Sequence, residues 1–196
     1  MTGSARFIVI SVLPREAACR VDEARRRICS VGRSKAALSY PPHITLRTGA
    51  LVPPEEVSSF IEDFGRVVGT WEPFLVRTDG LLLTSYRDGE ALKYLIGYRV
   101  VKDVALAGLN ERLLRYERWR ATDRLAFEPH LTLAFDDLGL TGYEEARSWL
   151  EENPQAIPES LEWTCDNVGV FRQEGGQWRL FSEWRQPSPD RPGPTN

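Results

Sequence analysis

The chain contains two histidines, and both stand in the same local sequence. The first lies in Pro42-His43-Ile44-Thr45-Leu46, the second in Pro129-His130-Leu131-Thr132-Leu133. Proline fills about one position in twenty of an average protein, so chance does not account for proline, threonine and two aliphatics recurring around both histidines. In an extended strand, residues i and i+2 share a face. His43 and Thr45 therefore point one way, with Ile44 and Leu46 pointing the other. His130 and Thr132 stand likewise against Leu131 and Leu133. The aliphatic pair anchors each strand in a core, and the polar pair is presented as one unit.

This unit suits phosphoryl transfer. Imidazole titrates near neutral pH, so one ring can take a proton from water while a second, protonated ring gives one to a leaving oxygen. Threonine hydroxyls donate to non-bridging phosphate oxygens, where charge builds in the transition state. The reading makes His43 and His130 the general acid and base, with Thr45 and Thr132 binding phosphate and with neither metal nor other cofactor. A single strand histidine is more often structural; duplicated context in a chain with no other histidine reverses that. No HExxH spacing supports a metal site. Asp136-Asp137, just after the second motif, reads as a loop cap. Arg47 lies at i+4 from His43 and faces the same side if the strand stays regular, which makes it a third phosphate candidate; a surface salt bridge is its competing reading. Tyr40, Tyr98 and Phe127 are aromatic candidates to stack on a base, against simple core packing.

The elements that must carry these residues can be read from periodicity. Phe7 to Leu13 reads as a strand ended by Pro14. Residues 15–31 place Ala17, Val21, Ala24 and Ile28 at helical spacing, with Arg20, Arg25, Arg26 and Arg27 forming a basic outer face. The alternating run from His43 to Thr48 is a strand, and Pro53-Pro54-Glu55-Glu56 starts a helix that runs to about Val68. Segments 73–78, 80–84 and 91–101 read as strands, with an Asp88-Gly89 turn before the last. A helix spans about 102–119, and a second Pro-led strand spans 128–135. A further helix covers about 141–152, capped by Thr141 and stopped near Pro154. Segments 161–171 and 177–184, separated by Glu174-Gly175-Gly176, read as a hairpin. The order strand, helix, histidine strand, helix occurs twice at a period of about 87 residues. That predicts an α+β fold of two pseudo-symmetric lobes, each with an antiparallel sheet and flanking helices, and an active-site cleft between them. Residues 1–185 form this single bilobal domain, and 186–196, rich in proline, are expected to be a disordered tail.

Composition narrows the partners. The 196 residues carry a formal net charge of −3, so no global basic field holds a long nucleic acid. RNA termini or a small nucleotide, bound in a locally basic cleft by a monomer, fit better. The apolar run Phe7 to Val12 is too short for a signal-peptide core, and no stretch approaches the ~18 apolar residues of a spanning helix. Three cysteines (Cys19, Cys29 and Cys165), odd in number and without a CxxC, fit a cytoplasmic protein with ordinary buried or half-buried thiols.

The two motifs resemble those of the two-histidine (2H) phosphoesterase superfamily, whose members carry two HxTx motifs. The order of elements and the closing hairpin resemble its LigT-like branch, the bacterial 2′-5′ RNA ligase or RNA 2′,3′-cyclic phosphodiesterase group, over about residues 5–185. The resemblance implies one antiparallel sheet per lobe, with the site between. It also implies hydrolysis of RNA 2′,3′-cyclic phosphate to a 2′-phosphate, and joining or cleavage of 2′-5′ linkages in some members. By this analogy His130 is the base for water and His43 the acid. Two departures stand out. LigT-like members commonly follow the first motif with a basic residue and Phe-Leu-Gly, whereas here Arg47 is followed by Thr48-Gly49. After the second they commonly have Ala-Arg, replaced here by Ala134-Phe135. Other readings kept open are a 2H-fold enzyme acting on 2′-5′ oligonucleotides, a cyclic ADP-ribose phosphate or RNA 3′ ends, and a non-catalytic nucleotide-binding module.

Overall fold

The computed structural model describes residues 4–116 and 127–187. Its elements run β1 (Ala5–Val12), α1 (Arg15–Gly32), β2 (His43–Val52), α2 (Val57–Val68), β3 (Phe74–Asp88), β4 (Ala91–Val100), α3 (Val104–Leu114), β5 (His130–Ala134), α4 (Leu140–Glu152), β6 (Glu162–Cys165), β7 (Asn167–Glu174) and β8 (Gln177–Arg185). The strands pair antiparallel in the order β6-β3-β4-β5-β2-β1-β7-β8. The fold is α+β and divides at its centre. Four strands lie on each side, and β2 meets β5 through the pair Ile44 and Leu131.

The two halves repeat one plan. The unit β4-α3-β5 reproduces β1-α1-β2 at the offset that carries His43 onto His130. Its helices cross over: α1 packs on β5 and α4, whereas α3 packs on β2 and α2. Each crossover helix thus covers the histidine strand of the opposite half, which ties the two halves into one core. The α1–α4 approach needs glycine, since a Cβ on Gly142 would overlap the Gly32 carbonyl. The main core holds Phe7 and Val9 of β1, Ile44 and Leu46 of β2, and Leu131 and Leu133 of β5, each at most 1 % exposed. The opposite face of β1 carries a second cluster of Ile8, Ile10 and Phe171, with Val12, Tyr40 and Trp178 against it. A strand buried on both faces reads as a near-continuous apolar run, as Phe7 to Val12 does with Ser11 its one polar residue.

Several local expectations are corrected. Segments 73–78 and 80–84 are one strand, β3, whose register shifts between Thr78 and Leu81 around Gly80 at φ 73°. Segment 161–171 is split at Asp166: β6 pairs with β3 in one half and β7 with β1 in the other. Because one residue separates these strands, the ribbon must curl until its distant parts meet. The meeting is fastened by Asn167, whose Oδ1 accepts from the Val12 amide and whose Nδ2 donates to the Val12 carbonyl, both at 2.8 Å. Helix α4 is preceded by Gly139 at its N-cap, so Thr141 lies inside the helix. Arg25 leaves the basic outer face of α1 and is 2 % exposed. It lies at i+4 from Val21 and i−3 from Ile28, on the buried stripe. The helix expected over about 102–119 spans Val104–Leu114, with Asp103 and Arg115 as its caps; residues 117–119 and most of the tail lie outside the described residues. Among the described residues no helix is long and apolar enough to cross a membrane.

Candidate active site

The two histidine strands are neighbours, and their register decides the geometry. Ile44 faces Leu131 across an antiparallel pair. Continuing that register one step each way sets His43 opposite Thr132 and Thr45 opposite His130. The four side chains share the face opposite to Ile44 and Leu131, and all four are half-buried. Strands lie ~4.8 Å apart and same-face residues ~6.8 Å apart along a strand, so the histidines occupy opposite corners of a parallelogram about 8 Å across. The threonines occupy the other two corners. That separation leaves room for one phosphorus centre with an imidazole at each end of an in-line axis.

Each histidine is tethered in the same way. The Nδ1–H of His43 donates to the Pro41 carbonyl at 2.8 Å, and that of His130 to the Glu128 carbonyl at 2.9 Å. A carbonyl only accepts, so both neutral rings hold their proton on Nδ1 and keep a basic Nε2. The prolines preceding the histidines also match: Pro42 accepts from the Leu13 amide at 3.0 Å, and Pro129 from the Val100 amide at 3.1 Å. Burial pulls the His43 pKa down to about 4, the Pro41 bond partly opposes this, and the charges of Arg25 and His130 add to it. His43 is therefore neutral at pH 7 in the free protein.

Arg47 does not join this face. The β1–β2 register shifts after Ile10–Thr45, so that Arg47 pairs with Val9 and Leu46 is the extra residue of a β-bulge. Cross-strand partners share a face. Val9 belongs to the main core, and so does the side of the sheet to which Arg47 is turned. The side chain is 4 % exposed and its Nη2 donates to the Asn110 side chain of α3 at 2.8 Å. The same bulge recurs in β5, where Leu133 is the extra residue and Ala134 pairs with Ile96. The i+4 argument assumed a regular strand, and the bulge reverses its result.

The surroundings of the two histidines are chemically unlike. Beside His43 lies Tyr40, with ring centroids 5.8 Å apart, and Tyr40 in turn contacts Phe135 at 6.0 Å and Trp178 at 6.5 Å. The Arg25 guanidinium donates to the Tyr40 carbonyl at 2.9 Å and holds this segment to α1. The cross-strand neighbours of His43 and Thr45 on β1 are Val12 and Ile10. On the other side, the neighbours of His130 and Thr132 on β4 are Arg99 and Gly97. Of the other aromatic candidates, Tyr98 is fully buried and its hydroxyl donates to the Pro158 carbonyl at 2.7 Å, so it belongs to the core. Phe127 is half-buried under the Lys102 ammonium at 5.6 Å. Asp137 caps as expected, accepting from Ser34 Oγ at 2.6 Å and the Lys35 amide at 2.7 Å. Cys29 and Cys165 are buried, whereas Cys19 is exposed. Among the described residues no three His, Cys, Asp or Glu side chains gather as a metal-binding group.

Phe135, Trp178 and Arg99 were not singled out from the sequence. Phe135 lies two residues past the second motif and only lacked a reason to meet Tyr40. Trp178 and Arg99 carry no local signal, because strand register alone brings them to the site.

Comparisons with known proteins bear on the family and the fold. Residues 13–177 match the family model of the 2′-5′ RNA ligase superfamily. No curated protein matches the chain by sequence. Among solved structures, Escherichia coli LigT in apo form has a TM-score of 0.59 at 17% identity, over 92% of this chain and 96% of that one. TT0787 of Thermus thermophilus has a TM-score of 0.62 at 18% identity, over 92% and 97%. Usb1 of Kluyveromyces marxianus has a TM-score of 0.51 at 12% identity, over 91% and 98%. At these identities the likeness is one of fold, and the family match covers most of the chain. The chain belongs to the 2′-5′ RNA ligase superfamily of two-histidine phosphoesterases.

Proposed function

We propose that the protein is a phosphodiesterase that opens 2′,3′-cyclic phosphates, at RNA ends or on small nucleotides, to 2′-phosphates by proton transfer between two histidines. The observation that carries this reading is the parallelogram of His43, Thr132, His130 and Thr45, with each Nδ1 tethered to a backbone carbonyl and each Nε2 left for proton transfer. Water attacks phosphorus as His130 Nε2 takes its proton. The bond from phosphorus to the 3′ oxygen breaks, and protonated His43 supplies that oxygen's proton. Thr45 and Thr132 donate to the non-bridging oxygens. No step requires a metal.

The direction of the reaction follows the asymmetry of the surroundings. The ribose and base are attached to the leaving oxygen, and the aromatic group of Tyr40, Phe135 and Trp178 beside His43 offers the base a stacking surface. That favours His43 as acid and His130 as base. Because His43 is neutral in the free protein, the anionic phosphate must raise its pKa on binding, as an opposite charge does. Crystal structures of E. coli LigT complexed with phosphate and with 3′-AMP are consistent with a phosphate and nucleotide site on this fold.

The test is hydrolysis of 2′,3′-cyclic AMP and of a short RNA with a cyclic end, in EDTA, by wild type, His43→Ala and His130→Ala. Conversion to the 2′-phosphate, with each variant reduced ~10²-fold or more, is expected. A phosphodiester with a p-nitrophenolate leaving group needs no acid, so on that substrate His43→Ala recovers and His130→Ala does not. Equal turnover by wild type and both variants defeats the reading, as does an absolute need for a divalent ion.

A further inference from the structure

We propose that Arg99 is the cationic phosphate ligand of this site, standing beside His130 on the substrate-facing side of β4. The inference rests on the proposed phosphodiesterase site and adds to it the permanent cation that neither motif supplies. Arg99 pairs directly with His130 across the β4–β5 ladder, with Gly97 and Thr132 paired next to it. Cross-strand partners project from the same face with Cβ atoms ~5 Å apart, and an arginine side chain reaches further from the sheet than an imidazole. The guanidinium is therefore long enough to extend over His130 toward an anion held between the histidines.

Four further points bear on this. Arg99 is exposed, and among the described residues its side chain makes no ion pair or hydrogen bond. In the other half the equivalent position, beside His43, is Val12. The fold thus accepts an aliphatic residue at this place, and packing does not account for the cation. An arginine directly opposite a histidine is also unfavourable whenever the imidazole is protonated, because like charges facing each other across a ladder repel. A bound phosphate removes that penalty. Finally, the arginine expected after the second motif is replaced by Phe135, and Arg47 is turned into the core. Arg99 restores a cation to the site from a different strand, and a guanidinium can hold two phosphate oxygens at once.

The experiment compares wild type, Arg99→Ala, Arg99→Lys and, as an exposed control at the β3–β4 turn, Arg87→Ala. Calorimetric titration with 2′-AMP and with adenosine separates phosphate binding from base binding. A charge-assisted bidentate contact corresponds to about 10- to 100-fold in affinity. Arg99→Ala should lose that much for 2′-AMP and nothing for adenosine, with Arg99→Lys in between and Arg87→Ala like wild type. The salt dependence of 2′-AMP binding should also become shallower in Arg99→Ala. With cyclic substrate, the loss should enter KM at least as much as kcat. If wild type binds 2′-AMP and Arg99→Ala binds it equally well, the Arg99 assignment is wrong and the site stands. If wild type binds neither 2′-AMP nor 2′,3′-cyclic AMP, the function itself is wrong and the assignment falls with it.

Discussion

Gly97 is the position where a single methyl group should damage the site most selectively. It pairs with Thr132 on the face that carries both histidines, and its backbone approaches β5 closely. A Cβ placed there would lie 2.6 Å from the Leu131 carbonyl oxygen, 3.3 Å from the Leu131 carbonyl carbon and 3.4 Å from the Thr132 Cα. All three are backbone atoms, so no rotamer change relieves the contact. Relief requires β4 and β5 to separate by several tenths of an ångström, at the residue between His130 and Thr132. Overpacking of this kind costs about 1–3 kcal/mol. The Gly→Ala change returns about 0.4–1 kcal/mol by restricting the unfolded chain, because Gly97 does not have a positive φ. The net loss is therefore about 1–2 kcal/mol, which for a chain of this size lowers Tm by roughly 2–8 °C. Activity should fall further than stability, because a misplacement of about 1 Å can cost 10²-fold in rate. The assay is kcat/KM on 2′,3′-cyclic AMP at about 20 °C, where the variant is still folded, beside a thermal melt. Gly142→Ala is the comparison: its Cβ would overlap the Gly32 carbonyl between α1 and α4, away from the histidine face. It should lower Tm and leave kcat/KM of the folded protein near wild type. Wild-type kcat/KM in Gly97→Ala would refute the reasoning, since the histidine pair would then tolerate movement of its own strand.

Arg47→Met should cost about 2 kcal/mol, because the Asn110 acceptors lose a buried charged donor. KM should stay unchanged; a tenfold rise in KM with an unchanged Tm would return Arg47 to the substrate. The lowered pKa of His43 has a stability consequence of definite sign. The unfolded histidine takes a proton near pH 6.5 and the folded one only near pH 4. Its contribution is therefore whole above pH 6.5 and is lost as pH falls through about 4, at most about 3 kcal/mol. Urea unfolding at pH 7 and pH 4.5 should show this loss in wild type and a smaller one in His43→Asn; equal losses would mean the imidazole is not neutral in the folded state.

The sequence determined the chemistry and the plan of the fold. Two Pro-His-aliphatic-Thr-aliphatic runs specify both the candidate reacting groups and the face on which each stands, because strand alternation is local. The same repeat announced two related halves, and the hydrophobic period located the helices and strands that form them. Where it misled, the cause was a phase error or a non-local pairing. A bulge of one residue at Leu46 turned Arg47 from the histidine face to the core, and alternation counted along the strand has no means of detecting it. The apolar run through residues 161–171 read as one strand, although Asp166 divides it between the two halves. Tertiary structure alone decided that β2 and β5 are adjacent, that each histidine faces the other motif's threonine, and that Arg99 stands beside one histidine and Tyr40 beside the other. Register between strands far apart in the chain is fixed by how the whole core packs, here with each crossover helix laid over the opposite half. No short segment encodes that by itself.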